Sequence, residues 1–240
     1  MRPAFTHRKP RYPKSWQELP CGEQIRDLLT ERLRQASRHW FGYHLVKLGA
    51  LSAELNLPDC PISHQVAVTG GAAASASVLA RSRELPLQKR SVDAFVLAFE
   101  LDFAQDPHQI LREVNRAIMP DGHLVLVGFN PLSPAGLAKY LPFRRASLLH
   151  DARCFSTMRI KDWLNLLGFE IIEEQGLLHS ELLFERHLNP DSRWQRWACR
   201  YWRWFGSVYV LVAKKRELPL SLIRPKWSPK PAFIGKQVNI

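Results

Sequence analysis

Residues 84–131 read ELPLQKRSVDAFVLAFELDFAQDPHQILREVNRAIMPDGHLVLVGFNP. Within them VDAFVLAF (92–99) is apolar almost throughout, the pattern of a strand buried on both faces of a parallel sheet. Asp106-Pro107 then supplies a helix N-cap followed by proline at the first helical position. Ile110, Leu111, Val114, Ala117 and Ile118 recur at the spacing of one helical face. Pro120-Asp121-Gly122 predicts a turn, with proline presetting φ and glycine accepting a positive one. GHLVLVGF (122–129) follows as a second fully buried strand. Strand, helix and strand of this kind form a parallel crossover unit, and the rest of the chain extends it in both directions.

Upstream, HLVKLG (44–49) predicts a short strand ending at Gly49. HQVAVTGG (64–71) predicts another, leading into the small-residue loop GGAAASAS. Residues 19–36 place Ile25, Leu28, Leu29 and Leu33 on one face of an amphipathic helix. Downstream, Trp163, Leu164 and Leu167 mark a helix at 160–168 that stops at Gly168. FEIIEEQ (169–175) and SVYVLVAKK (207–215) predict two closing strands. The fold class is therefore α/β: a doubly wound, mostly parallel sheet whose ligands bind beyond the carboxyl ends of the strands.

The net charge of +12 is concentrated at the ends. Residues 1–14 hold five basic residues and no acid, and residues 214–240 hold seven against one acid, so the body between them is nearly neutral. A basic pI here is thus no evidence for a nucleic-acid enzyme, although the tails would add a weak, salt-sensitive attraction to RNA or an anionic membrane surface. The organisation expected is a basic arm over 1–14, a domain over 15–216 and a basic tail over 217–240. Cys21, Cys60, Cys154 and Cys199 lack the spacing of a zinc site or a disulfide framework, which fits reduced thiols and a cytoplasmic location. The amino-terminal residues lack the apolar core of a signal peptide, and no apolar run reaches the length of a membrane span. Among the histidines, His44 and His64 stand too far from other ligand types in sequence to argue for a metal, and none is expected.

The segment 84–131 resembles the middle of the class I S-adenosylmethionine-dependent methyltransferases of the type 11 group. The residues that carry the resemblance are Leu85-Pro86-Leu87, Ser91-Val92-Asp93, Glu113-Val114-Asn115-Arg116 and Pro120-Asp121-Gly122. Within that family the chain is similar to a group of bacterial methyltransferase-like proteins with a degenerate cofactor motif. The resemblance implies S-adenosylmethionine as cofactor and methyl transfer to an unidentified acceptor. It implies cofactor contacts at Gly49, Ala50, Leu85 and Glu100, a catalytic or acceptor-positioning role for Asp102, and an acceptor pocket near Asn130.

Departures from the family pattern fall on the first strand and its turn. The family runs apolar-apolar-acid-apolar-Gly-x-Gly-x-Gly, whereas this chain reads LVKLGALSA (45–53). Lys47 stands at the acid, and Leu51 and Ala53 stand at the second and third glycines. The acid expected after the second strand is missing around Thr69-Gly70, and the one expected before Leu85 falls on Arg81. A hydrogen bond to a charged group is worth roughly 1.5–3 kcal/mol, so losing two carboxylates costs about 3–6 kcal/mol of cofactor binding unless another acid substitutes. Glu54 and Glu84 are the acids nearest in sequence.

DSRWQRWACRYWRWFG (191–206) is the least ordinary stretch. As a helix, inserted within residues 176–206, it would align Trp194, Trp197, Tyr201 and Trp204 beside Arg193, Arg196, Arg200 and Arg203. Trp197 and Trp204 are the candidates for closing over an apolar acceptor. The same stripe would serve core packing, a membrane surface or stacking on bases. A second function class follows from it: a non-catalytic methyltransferase-fold scaffold that binds RNA, a membrane surface or a protein partner. A nicotinamide-dependent oxidoreductase would need a glycine-rich first turn that 45–53 lacks.

Overall fold

A computed structural model of the chain describes residues 5–6, 10–71, 76–133, 151–177 and 206–217. Trp197, Trp204 and the rest of the Arg/Trp segment up to 205, like the tail from 218 on, lie outside the described residues.

Seven strands form one sheet: β1 (His44–Leu48), β2 (His64–Thr69), β3 (Val78–Leu79), β4 (Val92–Ala98), β5 (Ile118–Phe129), β6 (Phe169–Leu177) and β7 (Val208–Lys215), in the order β3-β2-β1-β4-β5-β7-β6. The first five are parallel, and β7 runs antiparallel to both β5 and β6. The order reverses between β1 and β4, the topological switch point at which open α/β sheets bind ligands. The helices are α1 (Gly22–Ser37), the single turn α2 (Ala50–Ala53), α3 (Pro107–Ala117) and α4 (Thr157–Leu166). Among the described residues no helix is long and apolar enough to cross a membrane.

Alternation along the buried strands feeds two cores. Leu45, Ala94, Val96, Val125 and Val212 pack with Ile25, Leu29 and Leu33 of α1 and with Trp16 and Trp40. Val46, Phe95, Leu97, Leu124 and Leu211 pack on the other face with Ile110, Leu111 and Val114 of α3 and Ile160 and Leu164 of α4. Both layers are apolar because the middle of the sheet meets no water, which is why VDAFVLAF lacks the alternation of a half-exposed strand.

Caps match the sequence pattern. The Asp106 carboxylate accepts from the Gln109 amide at 3.1 Å ahead of Pro107, and Gly168 closes the segment after α4 with φ +82°. The turn expected at 120–122 lies instead within β5, where the pairing with β4 shifts register between Val92 and Ala94. Its left-handed residue is Asp121, with φ +63°, and Gly122 is needed for space instead. A Cβ at 122 would fall 2.6 Å from Ile118 Cγ1 and 2.9 Å from the carbonyl oxygens of Asp93 and Met119. His44 and His64, isolated in sequence, are register partners on β1 and β2, with Nδ1 atoms 2.8 Å apart.

One buried polar contact locks α2 onto the centre of the sheet. Ser52, fully buried, accepts through Oγ from the Ala98 amide at 2.7 Å. Ser52→Ala would leave that amide in an apolar setting without its acceptor. Urea denaturation of this variant is expected to show a loss of about 1–3 kcal/mol.

Candidate functional site

The carboxyl ends of β1 and β4 converge because the strands pair in parallel, Leu45 with Ala94 through Leu48 with Leu97. Gly49 ends β1 with φ +96°, a conformation L side chains rarely adopt. Glu100 follows β4 and is 6% exposed. A Cβ added to Gly49 would collide with the Glu100 carboxylate and with the Tyr12 hydroxyl. The bare glycine Cα and a buried carboxylate thus face each other across the switch point.

Glu100 is held by two hydroxyl donors, Tyr12 to Oε2 and Ser82 to Oε1. Burial pushes its pKa above the ordinary carboxyl value, and the two hydrogen bonds pull it back in part. Tyr12 in turn accepts from the Ala50 amide, while burial and the neighbouring Glu100 charge raise its own pKa well above normal.

A second cluster lies where β4 and β5 end. Asp102, 1% exposed, accepts through Oδ2 from the Phe129 amide at 2.9 Å, and its carbonyl accepts from the Arg153 amide at 2.6 Å. Tyr209 on β7 is close by: burial first, then the charge of Asp102, raises its phenol well above the normal value. Asn130, 7% exposed, accepts from the Leu132 amide at 3.1 Å and forms a side-chain-closed turn. The structure therefore brings Gly49, Ala50 and Glu100 together and places Asp102 and Asn130 at the adjoining strand ends.

Where the first-strand acid was expected, buried Lys47 donates through Nζ to the Leu55 carbonyl at 2.7 Å, and desolvation lowers its pKa. The lysine braces the loop after α2. Thr69, at the end of β2, donates through Oγ1 to the Gly71 carbonyl at 2.7 Å. The carboxylate that lies against Gly49 is Glu100.

Comparison with known proteins gives these features a frame. A family model described as a methyltransferase domain matches residues 60–126. The chain is 35% identical over 245 aligned residues to the uncharacterized protein YafS of Escherichia coli (strain K12), covering 100% of this chain and 96% of the relative. The chain belongs to the class I S-adenosylmethionine-dependent methyltransferases. Solved structures share the fold. One is a Thermotoga maritima S-adenosylmethionine-dependent methyltransferase described as a possible histamine N-methyltransferase (19% identity, 84% of this chain and 99% of that one, TM-score 0.54). Another is geranyl diphosphate C-methyltransferase of Streptomyces coelicolor A3(2), solved with Mg2+, geranyl diphosphate and S-adenosyl-L-homocysteine (17% identity, 81% and 80% coverage, TM-score 0.55).

S-adenosylmethionine is the cofactor of this methyltransferase family, and the cleft passes a fit test in two respects. Gly49 presents bare backbone at the switch point, and a buried carboxylate able to accept charge-assisted hydrogen bonds lies against it together with the Tyr12 hydroxyl. The methyltransferase motif in 84–131 also acquires a physical reason. Arg116 donates to the Leu85 carbonyl at 3.0 Å and the Leu87 carbonyl at 2.8 Å, and Glu113 accepts from the Leu85 amide at 3.1 Å. The acid-x-x-Arg pair (2.8 Å), on the last turn of α3, clamps the Leu-Pro-Leu segment on its way to the amino end of β4 and depresses the Glu113 pKa. Leu85 is 6% exposed and fixed through its backbone.

Sequence reasoning missed Tyr12 and Ser82. Tyr12 sits in RKPRYPK, whose charge suggests a solvated arm, yet Pro10 and Pro13 are buried around it. The apolar residues Tyr12, Pro13 and Trp16 were the available signal. Ser82 carries none.

Because the folded-state pKa of Glu100 is raised, the folded protein binds that proton more tightly than the unfolded chain does. Stability is therefore greatest below the ordinary value of 4.5 and declines as pH rises from there through the folded-state value. Thermal melts of Glu100→Gln are expected to lie a few degrees above those of the parent at about pH 7, with the gain shrinking toward about pH 4.

Proposed function

We propose that this protein transfers a methyl group from S-adenosylmethionine to a nucleophilic oxygen, nitrogen or carbon of an acceptor. The observation that carries the reading is the pairing of Gly49 with buried Glu100 at the β1/β4 switch point in a member of this family. S-adenosylmethionine supplies an electrophilic methyl on a sulfonium centre. Gly49 and Ala50 give the close backbone approach. Glu100 supplies a carboxylate in a chain that lacks the family acids at Lys47, Thr69-Gly70 and Arg81. A charge-assisted hydrogen bond worth roughly 1.5–3 kcal/mol offsets about one of the lost acids.

Asp102 is a positioning residue in this reading. Its bond to the Phe129 amide fixes the end of β5 relative to β4, and Asn130, closing the turn at that end, would face the acceptor. Rate acceleration would come mainly from holding donor and acceptor in line, a mode that asks for rigid walls more than for a strong base. The scaffold reading finds no comparable support among the described residues, since the Arg/Trp segment on which it rests lies outside them up to residue 205.

The test is calorimetric titration with S-adenosylhomocysteine. The parent is expected to give saturable heat below millimolar ligand. Gly49→Ala, whose Cβ would enter the space of Glu100 and Tyr12, is expected to lose at least about tenfold in affinity, equivalent to roughly 1.4 kcal/mol. Circular dichroism checks that the variant is folded, and undiminished binding by it overturns the placement.

A further inference from the structure

Tyr12 reaches the cleft from outside the α/β unit. The segment that carries it runs along the carboxyl edge of the sheet and is tied there at several points. The Thr6 amide donates to the Gln105 carbonyl at 3.0 Å, Arg11 Nε to the Asp151 carboxylate at 2.8 Å, and Trp16 Nε1 to the Leu51 carbonyl at 2.9 Å. The Tyr12 ring meets Phe103 edge-on at 5.9 Å. These contacts fall on α2, which follows β1, on the loop after β4 and just before α4. The hydroxyl ends between the Glu100 carboxylate and the Ala50 amide, donating to one and accepting from the other. It fills the space in front of Gly49.

That space is where a ligand of this sheet would lie. We propose that residues 10–16 form an internal strap whose Tyr12 hydroxyl competes with S-adenosylmethionine for Glu100 and the Ala50 amide, so that the cofactor seats only when Tyr12 has left. This rests on the cleft being the cofactor site. The displacing group must do what the hydroxyl does, donating to a buried carboxylate and accepting from a backbone amide. The amino-acid end of the cofactor carries an ammonium and a carboxylate that meet both demands. A strap of this kind lowers apparent affinity by the fraction of molecules in which it is open, without any change in the cofactor's own contacts.

Tyr12→Phe separates competition from support, because phenylalanine keeps the ring against Phe103 and removes only the hydroxyl. Titration of parent and variant with S-adenosylhomocysteine is expected to show roughly tenfold to a hundredfold tighter binding by Tyr12→Phe, the equivalent of one hydrogen bond to a charged group. Hydrogen exchange of the parent is expected to show faster exchange within residues 10–16 when the ligand is saturating. Equal or weaker binding by Tyr12→Phe, or slower exchange in 10–16 on ligand binding, would make the strap a fixed wall or a lid. Either result overturns the competition and leaves the cofactor reading standing. Absence of binding by both proteins at millimolar ligand removes the cofactor reading and the strap with it.

Discussion

The parallel pairing of β1 with β4 is the constraint on which the cleft depends. The register from Leu45–Ala94 to Leu48–Leu97 ends both strands at the same level, so Gly49 and Glu100 meet beyond the last paired residues. Ser52 reinforces that level by joining α2 to the Ala98 amide. A slip of one residue would move Leu45 and Leu48 to the opposite cores and separate the glycine from the carboxylate. The apolar burial on both faces of these strands holds the register, and the chemistry at their ends inherits its precision.

At both ends of the sheet, backbone groups are held by side chains in a repeated pattern. Arg116 and Glu113 hold 85–87, Asp102 holds the Phe129 amide, and Asn130 closes the turn after β5. The Asp102 bond to the Phe129 amide is fully buried, so breaking it leaves an unsatisfied group costing about 1–3 kcal/mol, whereas the others are half-buried and act mainly as constraints. Glu100 differs in kind. Its donors are hydroxyls on a distant strap and a loop, and its raised pKa means the apo fold would be more stable with a neutral group there. A carboxylate kept at such a position against stability fits a binding role.

Much of the architecture was legible in the chain. Strand periodicity, the Asp106-Pro107 cap and the Gly168 stop depend on neighbours within one turn or one strand, and local signals of that range survive in sequence. The family motif at 113–116 was equally plain as a pattern, although its reason, a clamp on backbone atoms about thirty residues earlier, needed coordinates. Asp121 takes the left-handed conformation expected of Gly122, and Gly122 is needed because Ile118, Met119 and Asp93 of β4 leave no room for a Cβ, a contact with β4 that no local pattern records. Tyr12 was hidden by the basic residues beside it, since charge is read along the chain while burial is decided by what the chain folds against.

By itself the sequence determined the α/β class, the order of six strands and three helices without β3 and α2, the family and the glycine that ends β1. Each follows from periodicity, capping chemistry or a contiguous motif, all short-range in the chain. Tertiary structure alone decided which carboxylate faces that glycine, that Lys47 braces a loop where an acid was expected, and that a segment near residue 12 enters the cleft. Those outcomes join residues from 8 to 88 positions apart, and their partners are selected by the packing of two cores, which no local pattern records.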